Sequence, residues 1–296
     1  MNLKREFKGQ LSFDFEIPKE ADRNFHLGGR SFYFFDFDDN VVYLSTPIIL
    51  FHKDTGGEVS VSSGEYAHES RSVGKAGKFA DYFIDINDDK GSFRHFRDKE
   101  FTIGERKKGV KQTFVSDIER ALENAEHVWK APSWNSFYQA TYNQRPVSVI
   151  TARGHGRETI KDGIAMMVRE GHLPLTPKYH SIYPVSNLKV RHELGDVELK
   201  KNVAELKRVA IRASVEKAIK EFGYSPFHRF GMSDDDHKNI ELICEEMRSL
   251  KLDYPDMSFF VIETFKDAYA KYEILAHETR EVVSKAESRN NQLSLL

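Results

Sequence analysis

Two clusters of acids end two apolar runs. Asp36, Asp38 and Asp39 close the run SFYFFDF, and Asp234, Asp235 and Asp236 follow PFHRFGMS. A carboxylate taken out of water loses several kcal/mol unless a cation or hydrogen-bond donors compensate it. Acids at the ends of buried segments therefore imply a positive partner. The period-two geometry of an extended chain starts Asp36 and Asp38 on one side, so a single bound group could meet both. Two further pieces belong with them. Thr151 is the first polar residue after VSVI and is followed by Ala152, Arg153 and Gly154. A lysine in or near the helix after HSIYPVSN completes the set, with Lys207 as first choice and Lys217 in reserve.

The elements that must carry these residues are legible from hydrophobic pattern. Segments 31–37, 146–151, 180–186, 226–233 and 257–263 are apolar at nearly every position, as strands covered on both faces are. Residues 156–171 and 202–223 repeat apolar positions at helical spacing and stop at glycine, and 239–250 is a third helix. Strands alternating with helices predict an α/β fold: a three-layer, Rossmann-like core around a mostly parallel sheet with right-handed crossovers. In such a sheet ligands bind at the carboxyl ends of the strands, where all four pieces fall. The rhythm breaks between about 50 and 140, around GGEVSVSSGEY, INDDKGS and GERKKGVK and a helix near 114–126. The reading is a core of 1–50 and 140–285, an inserted cap-like region of 51–139 after the first core strand, and a flexible tail of 286–296.

Composition limits the partners. The 296 residues are 40% hydrophobic and 30% charged, with a formal net charge of -2. This is an ordinary globular balance without the basic excess that marks general nucleic-acid binding. Cys244 is the sole cysteine, so neither an internal disulfide nor a cysteine-based zinc site is available, and a reducing, cytoplasmic setting is expected. The opening MNLKREFKGQLSFDFEIP lacks the apolar stretch of a signal peptide, and no segment reaches the length of a membrane span.

The order of the four pieces resembles that of the haloacid dehalogenase-like (HAD) hydrolase superfamily: a strand ending in DxD, a strand ending in Thr or Ser, a lysine, and a strand ending in paired acids. The resemblance covers 25–50 and 140–265. It implies a Mg²⁺-dependent phosphohydrolase acting on phosphomonoesters, with Asp36 as nucleophile forming an aspartyl-phosphate and Asp38 as general acid and base. Thr151 and Lys207 would contact the phosphoryl oxygens. Asp234 and Asp235 would hold Mg²⁺ together with Asp36 and the backbone carbonyl of Asp38, and Asn239 completes a DDxxxN form. Asp236 is either an alternative ligand or a helix cap. The chain departs from the family at Asp39 and Asn40, where the family usually has Gly-Thr or a similar pair. An acid at position 38 favours phosphoryl over dehalogenase chemistry.

A phosphorylated small molecule is the expected substrate. The alternatives are a phosphatase of nucleic-acid ends, sharing the same acids, and a non-catalytic regulatory or interaction protein of the same fold. The end QLSLL, Gln292 to Leu296, resembles the short bacterial peptide that docks a sliding clamp. The segment DINDDKG lacks the glycine position and closing glutamate of a calcium loop, and HLGGR precedes no phosphate-loop lysine. Trp129 and Trp134 read as core packing or a cap hinge rather than a substrate platform, and GERKKGVK as a solvated charge run.

Overall fold

Strand β1 (Ser31–Phe35) is buried on both faces, as its unbroken apolar sequence dictates. In the computed structural model, which describes residues 18–86, 90–265 and 268–286, the chain leaves β1 for an excursion. This comprises β2 (Ile48–His52), β3 (Glu58–Val61), α1 (Ser63–Glu69), β4 (Tyr82–Phe83) and α2 (Ile103–Lys107). Helices α3 (Thr113–Leu122), α4 (Glu126–Trp129) and α5 (Trp134–Tyr142) lead to β5 (Pro146–Thr151). Then follow α6 (Arg157–Arg169), β6 (Lys178–Pro184), α7 (Leu188–Glu193), α8 (Val203–Phe222), β7 (Arg229–Asp234), α9 (His237–Asp253), β8 (Ser258–Phe265), β9 (Ala268–Ile274) and β10 (Thr279–Ala286).

The main sheet has the order β10-β9-β8-β7-β1-β5-β6. Strands β8, β7, β1, β5 and β6 pair in parallel, while β9 and β10 extend the β8 edge antiparallel, so the sheet is mixed. Sequence reasoning places no strand at 268–286. Only Ala270 and Ile274 of β9 are buried, and a strand covered on one face carries a weaker apolar signal than a central one.

Helices cover both faces of the central strands. Phe32 and Phe34 join Ile150, Phe230 and Met232 against Leu206, Ile211 and Val215 of α8 and Ile240 and Met247 of α9. Phe35, Val147 and Val149 face Ile160, Ile164 and Met167 of α6. The split of Phe32 and Phe34 from Phe35 is the strand's period of two. Each such fully buried side chain contributes about 1.5–3 kcal/mol.

Phe114, Ile118, Trp129 and Phe137, all within 51–139, belong to the second of these clusters and so pack on the main sheet. Helix α3 lies close on α6 at Gly163, where a Cβ would come within 2.4 Å of the Phe114 ring. The segment with a core of its own is smaller: β3-β2-β4 form a separate antiparallel sheet over Ile48, Leu50, Val61 and Phe79. Among the described residues no helix is long and apolar enough to cross a membrane.

Candidate metal centre at the strand ends

Parallel pairing of β1 with β7 brings the two acid clusters together. The ladder continues past β1 through the Asp36 N–H, which donates to the Ser233 carbonyl at 2.9 Å. Asp36, Asp234 and Asp235 each offer an oxygen, and these oxygens lie within 4.8 Å of one another. Asp36 and Asp234 are buried, whereas Asp235 sits at the exposed rim. Lys207, from the first half of α8, is buried between the first two: its Nζ is 2.7 Å from Asp234 Oδ2 and 3.2 Å from Asp36 Oδ2. Asp234 Oδ1 accepts from the Asn239 side chain and from the Asp236 N–H, both at 3.0 Å.

The electrostatics follow from burial and like charge. Burial pushes the Asp36 carboxyl well up; Lys207 opposes this, and the neighbouring acids reinforce it. Asp235 is exposed by area, yet crowding by protein around its carboxylate, then the Asp234 charge, raises it to about 7. For Lys207, burial alone would lower the pKa, but the charges of Asp234 and Asp36 raise it overall, so the ammonium stays charged. Asp36 Oδ1 is buried without a hydrogen-bond partner. A buried orphan oxygen beside two more carboxylates, all hard oxygen donors, fits a divalent cation.

Beyond Asp36 the chain turns sharply, with the N–H groups of Val41 and Val42 both donating to the Phe37 carbonyl. Asp39 has φ +57°, a left-handed conformation that Asp tolerates better than most residues. Its Oδ2 accepts from Ser63 at 2.6 Å; burial, partly offset by that bond, raises its pKa to about 6. Asn40 is wholly buried and ties the site together from below. It donates to the Asp36 carbonyl at 2.9 Å and to Ser233 Oγ at 2.7 Å, and accepts from Ser133 and Thr264 at 3.0 and 2.9 Å. Both departures from the family pattern thus have local structural work in this chain.

Asp38 is not part of the three-acid group and pairs with another residue. Arg153, with no exposed surface, reaches it through Nε at 3.0 and 2.8 Å to the two carboxylate oxygens and through Nη2 at 2.5 Å to Oδ1. Thr151, at the end of β5, directs its hydroxyl to Asp38 Oδ2 at 3.4 Å. Sequence reading names Arg153 as a neighbour of Thr151 and gives it no role. The only signal available was a cation two residues beyond a strand-end threonine.

The remaining expected residues separate cleanly. Asp236 caps α9, accepting from the Lys238 N–H at 2.9 Å, and stands outside the three-acid group. Lys217 donates to the His180 carbonyl, and Arg157 Nε donates to the Ile182 carbonyl at 2.7 Å. Both cover acceptors of β6, an edge of the sheet, so the reserve lysine serves the edge and only Lys207 reaches the acids. A cleft of about 530 Å³ opens beside the loop after Thr151, lined by Arg97, Asp98, Gly154, Arg157, Asn187 and Lys189 among others. That loop contributes Gly154 and Gly156 to it, and none of Asp36, Asp38, Asp234 or Asp235 lines it. Gln292–Leu296 lie outside the described residues, as do residues 87–89 of DINDDKG. No protein-family model, curated protein or solved structure matches the chain.

Proposed function

We propose that the chain is a Mg²⁺-dependent phosphomonoesterase of haloacid dehalogenase-like type. The observation that carries this reading is the convergence of Asp36, Asp234 and Asp235 within 4.8 Å, with Lys207 charged between the first two. The order β8-β7-β1-β5-β6 supports it, because Asp36, Thr151 and Asp234 then come from the carboxyl ends of three adjacent parallel strands.

In this reading a carboxylate oxygen of Asp36 attacks phosphorus as the bond to the leaving oxygen breaks, and Asp38 gives that oxygen a proton. Water then attacks the aspartyl-phosphate, its proton passes to Asp38, and free phosphate and the Asp36 carboxylate are restored. Lys207 and the Thr151 hydroxyl steady the phosphoryl oxygens. Mg²⁺ held by Asp36, Asp234 and Asp235 would neutralise the charge that otherwise keeps a carboxylate from an anionic ester. The cleft beside the loop after Thr151, with Arg97, Arg157 and Lys189 set among Asp98 and Glu158, suits the rest of a phosphorylated small molecule.

The test is release of inorganic phosphate from a panel of sugar phosphates, nucleotides, aryl phosphates and phosphorylated DNA ends, with Mg²⁺ and with EDTA. Turnover that needs Mg²⁺ and is lost in Asp36→Asn is expected. Folded protein that binds Mg²⁺ but releases no phosphate from any member would overturn the reading in favour of a non-catalytic binding protein.

A further inference from the structure

Arg153 is the largest buried cation that the chemistry above leaves without a task. Its guanidinium lies between two aromatic rings, 4.9 Å from the centroid of Phe96 and 4.7 Å from that of Phe114. Its Nη1 finds no acceptor among the described residues, and the acid it pairs with is Asp38. Its Nη2 also donates to Thr46 Oγ1 at 2.6 Å, and Thr46 in turn donates to Asp117, a buried acid of α3 whose other oxygen accepts from Arg120. A chain of contacts thus runs from α3 through Thr46 and Arg153 to Asp38, and the Arg153 guanidinium lies over the rings of Phe96 and Phe114. Phe96, Phe114 and Asp117 all come from the stretch between β1 and β5.

The two oxygens of Asp38 are not equivalent in this grip. Oδ1 is held by the guanidinium alone, through the Nη2–H at 2.5 Å and a longer share of the Nε–H at 3.0 Å, whereas Oδ2 takes that Nε–H at 2.8 Å and faces the Thr151 hydroxyl at 3.4 Å. A carboxylate offers about four lone-pair sites, and because the Thr151 contact is long, Oδ2 is the oxygen with room to carry a proton. It is also the oxygen nearer the residue that steadies the phosphoryl group in the reading above. A forked contact of this kind fixes the plane of the carboxylate as well as its distance. Proton transfer is efficient only when donor and acceptor are held within hydrogen-bond reach of one another.

We propose that Arg153 is the positioning residue that sets Asp38 for proton transfer at Oδ2, and that the segment between β1 and β5 serves the reaction by locking Arg153 through Thr46, Asp117, Phe96 and Phe114. The proposal rests on the phosphomonoesterase reading. It does not require Arg153 to touch the substrate.

A positioning role for a proton donor has a signature that a structural role lacks. The donor matters most when the departing oxygen is a poor leaving group, so phenyl phosphate should suffer more than its near-isostere p-nitrophenyl phosphate. The test measures kcat and KM for both with Mg²⁺, in wild type, Arg153→Ala, Arg153→Lys and Thr46→Val, with a thermal melt of each. General acid and base catalysis contributes on the order of 10²–10⁴-fold. Arg153→Ala is therefore expected to lower kcat for phenyl phosphate about 100-fold or more, and for p-nitrophenyl phosphate less than about 10-fold, with KM little changed. Arg153→Lys should restore part of the difference, and Thr46→Val should show a smaller loss of the same sign. Where Arg153→Ala does not fold, Thr46→Val and Arg153→Lys carry the same comparison. Equal losses on both esters, or none, would overturn the positioning role while leaving the phosphatase reading intact. Wild type that turns over neither ester nor any other phosphomonoester removes the phosphatase reading, and the role of Arg153 falls with it.

Discussion

Replacing Lys207 with methionine keeps most of the side-chain volume and removes only the charge. In the native protein the ammonium sits 2.7 Å from Asp234 and 3.2 Å from Asp36 with about 1% of its surface exposed. Its loss leaves two buried carboxylates and no buried cation between them, and breaking a buried pair in this way costs about 3–5 kcal/mol. Urea unfolding at pH 7 in Mg²⁺-free buffer should show that loss. The pH dependence gives a second, independent check. The raised pKa of Lys207 means its stabilisation is fully present below the unfolded value near 10.4 and is lost only as pH rises through the higher folded value. At pH 7 wild type therefore has all of it. In the variant nothing opposes the burial that raises Asp36, so the folded state holds a proton that the unfolded state releases. The deficit should shrink as pH falls toward the unfolded carboxylate range near 4. Saturating Mg²⁺, at about 100 times its Kd, should return about 2.7 kcal/mol. A loss below about 1 kcal/mol at pH 7, or one that does not change with pH, would refute the assignment of Lys207 as the counter-charge of this site.

Asn40→Leu removes the group that joins Asp36, Ser133, Ser233 and Thr264; several orphaned partners at about 1–3 kcal/mol each predict a loss of about 3–6 kcal/mol by urea unfolding. His155 is fully buried, neither ring nitrogen has a partner, and burial, with help from Arg153, pushes its pKa down to about 2. Its contribution is complete above the unfolded value near 6.5 and is lost as pH falls. At about 1.36 kcal/mol per unit, wild type should lose about 2 kcal/mol more than His155→Leu between pH 6.5 and 5. Lys217→Ala should keep phosphate release within about two-fold, because Lys217 serves the β6 edge, whereas Lys207→Met should abolish release. The double variant Arg157→Ala with Lys217→Ala should self-associate in light scattering, because it uncovers the His180 and Ile182 carbonyls of that edge.

What the sequence discloses here follows the range of each interaction. The central strands are visible because burial on two faces writes an unbroken apolar run, and their acids are visible because charge at the end of such a run is costly. Lys207 is half visible. Its helix follows from the pattern, but selecting it over Lys217 needs the knowledge that it lies on the turn facing Asp234 while Lys217 reaches β6. Strand β9 is nearly silent because only Ala270 and Ile274 of its seven residues are buried, and β10 begins with the exposed run 279–282. The packing of Phe114, Trp129 and Phe137 on the main sheet is not legible at all, since an apolar helix face does not state which apolar surface it meets. Arg153 fails for a related reason: its partner Asp38 is 115 residues away in sequence, and nothing local distinguishes a buried guanidinium from a solvated one.

The four acids are divided by two buried cations. Lys207 takes Asp36 and Asp234, and Arg153 takes Asp38, so carboxylates only a few residues apart in sequence answer to different counter-charges. Asp235 forms an ion pair with neither, and burial and the Asp234 charge raise its carboxyl to about 7, as burial also raises that of Asp36. This is the arrangement by which environment assigns identical side chains to different tasks. The acids that Lys207 contacts lie beside Asp235, so three carboxylates share one buried ammonium, and a divalent cation would complete that side of the site. On the other side, Asp38 is already paired by the forked grip of a residue fixed in the core, and adding a metal there would only compete with Arg153. In the proposed phosphomonoesterase reaction this division would separate metal binding and attack, at Asp36, Asp234 and Asp235, from proton transfer, at Asp38. It also makes Lys207 and Arg153 non-interchangeable: neutralising either should leave the other's group of acids intact, and the defects of the two single variants should differ in kind, one in Mg²⁺ dependence and the other in sensitivity to the leaving group.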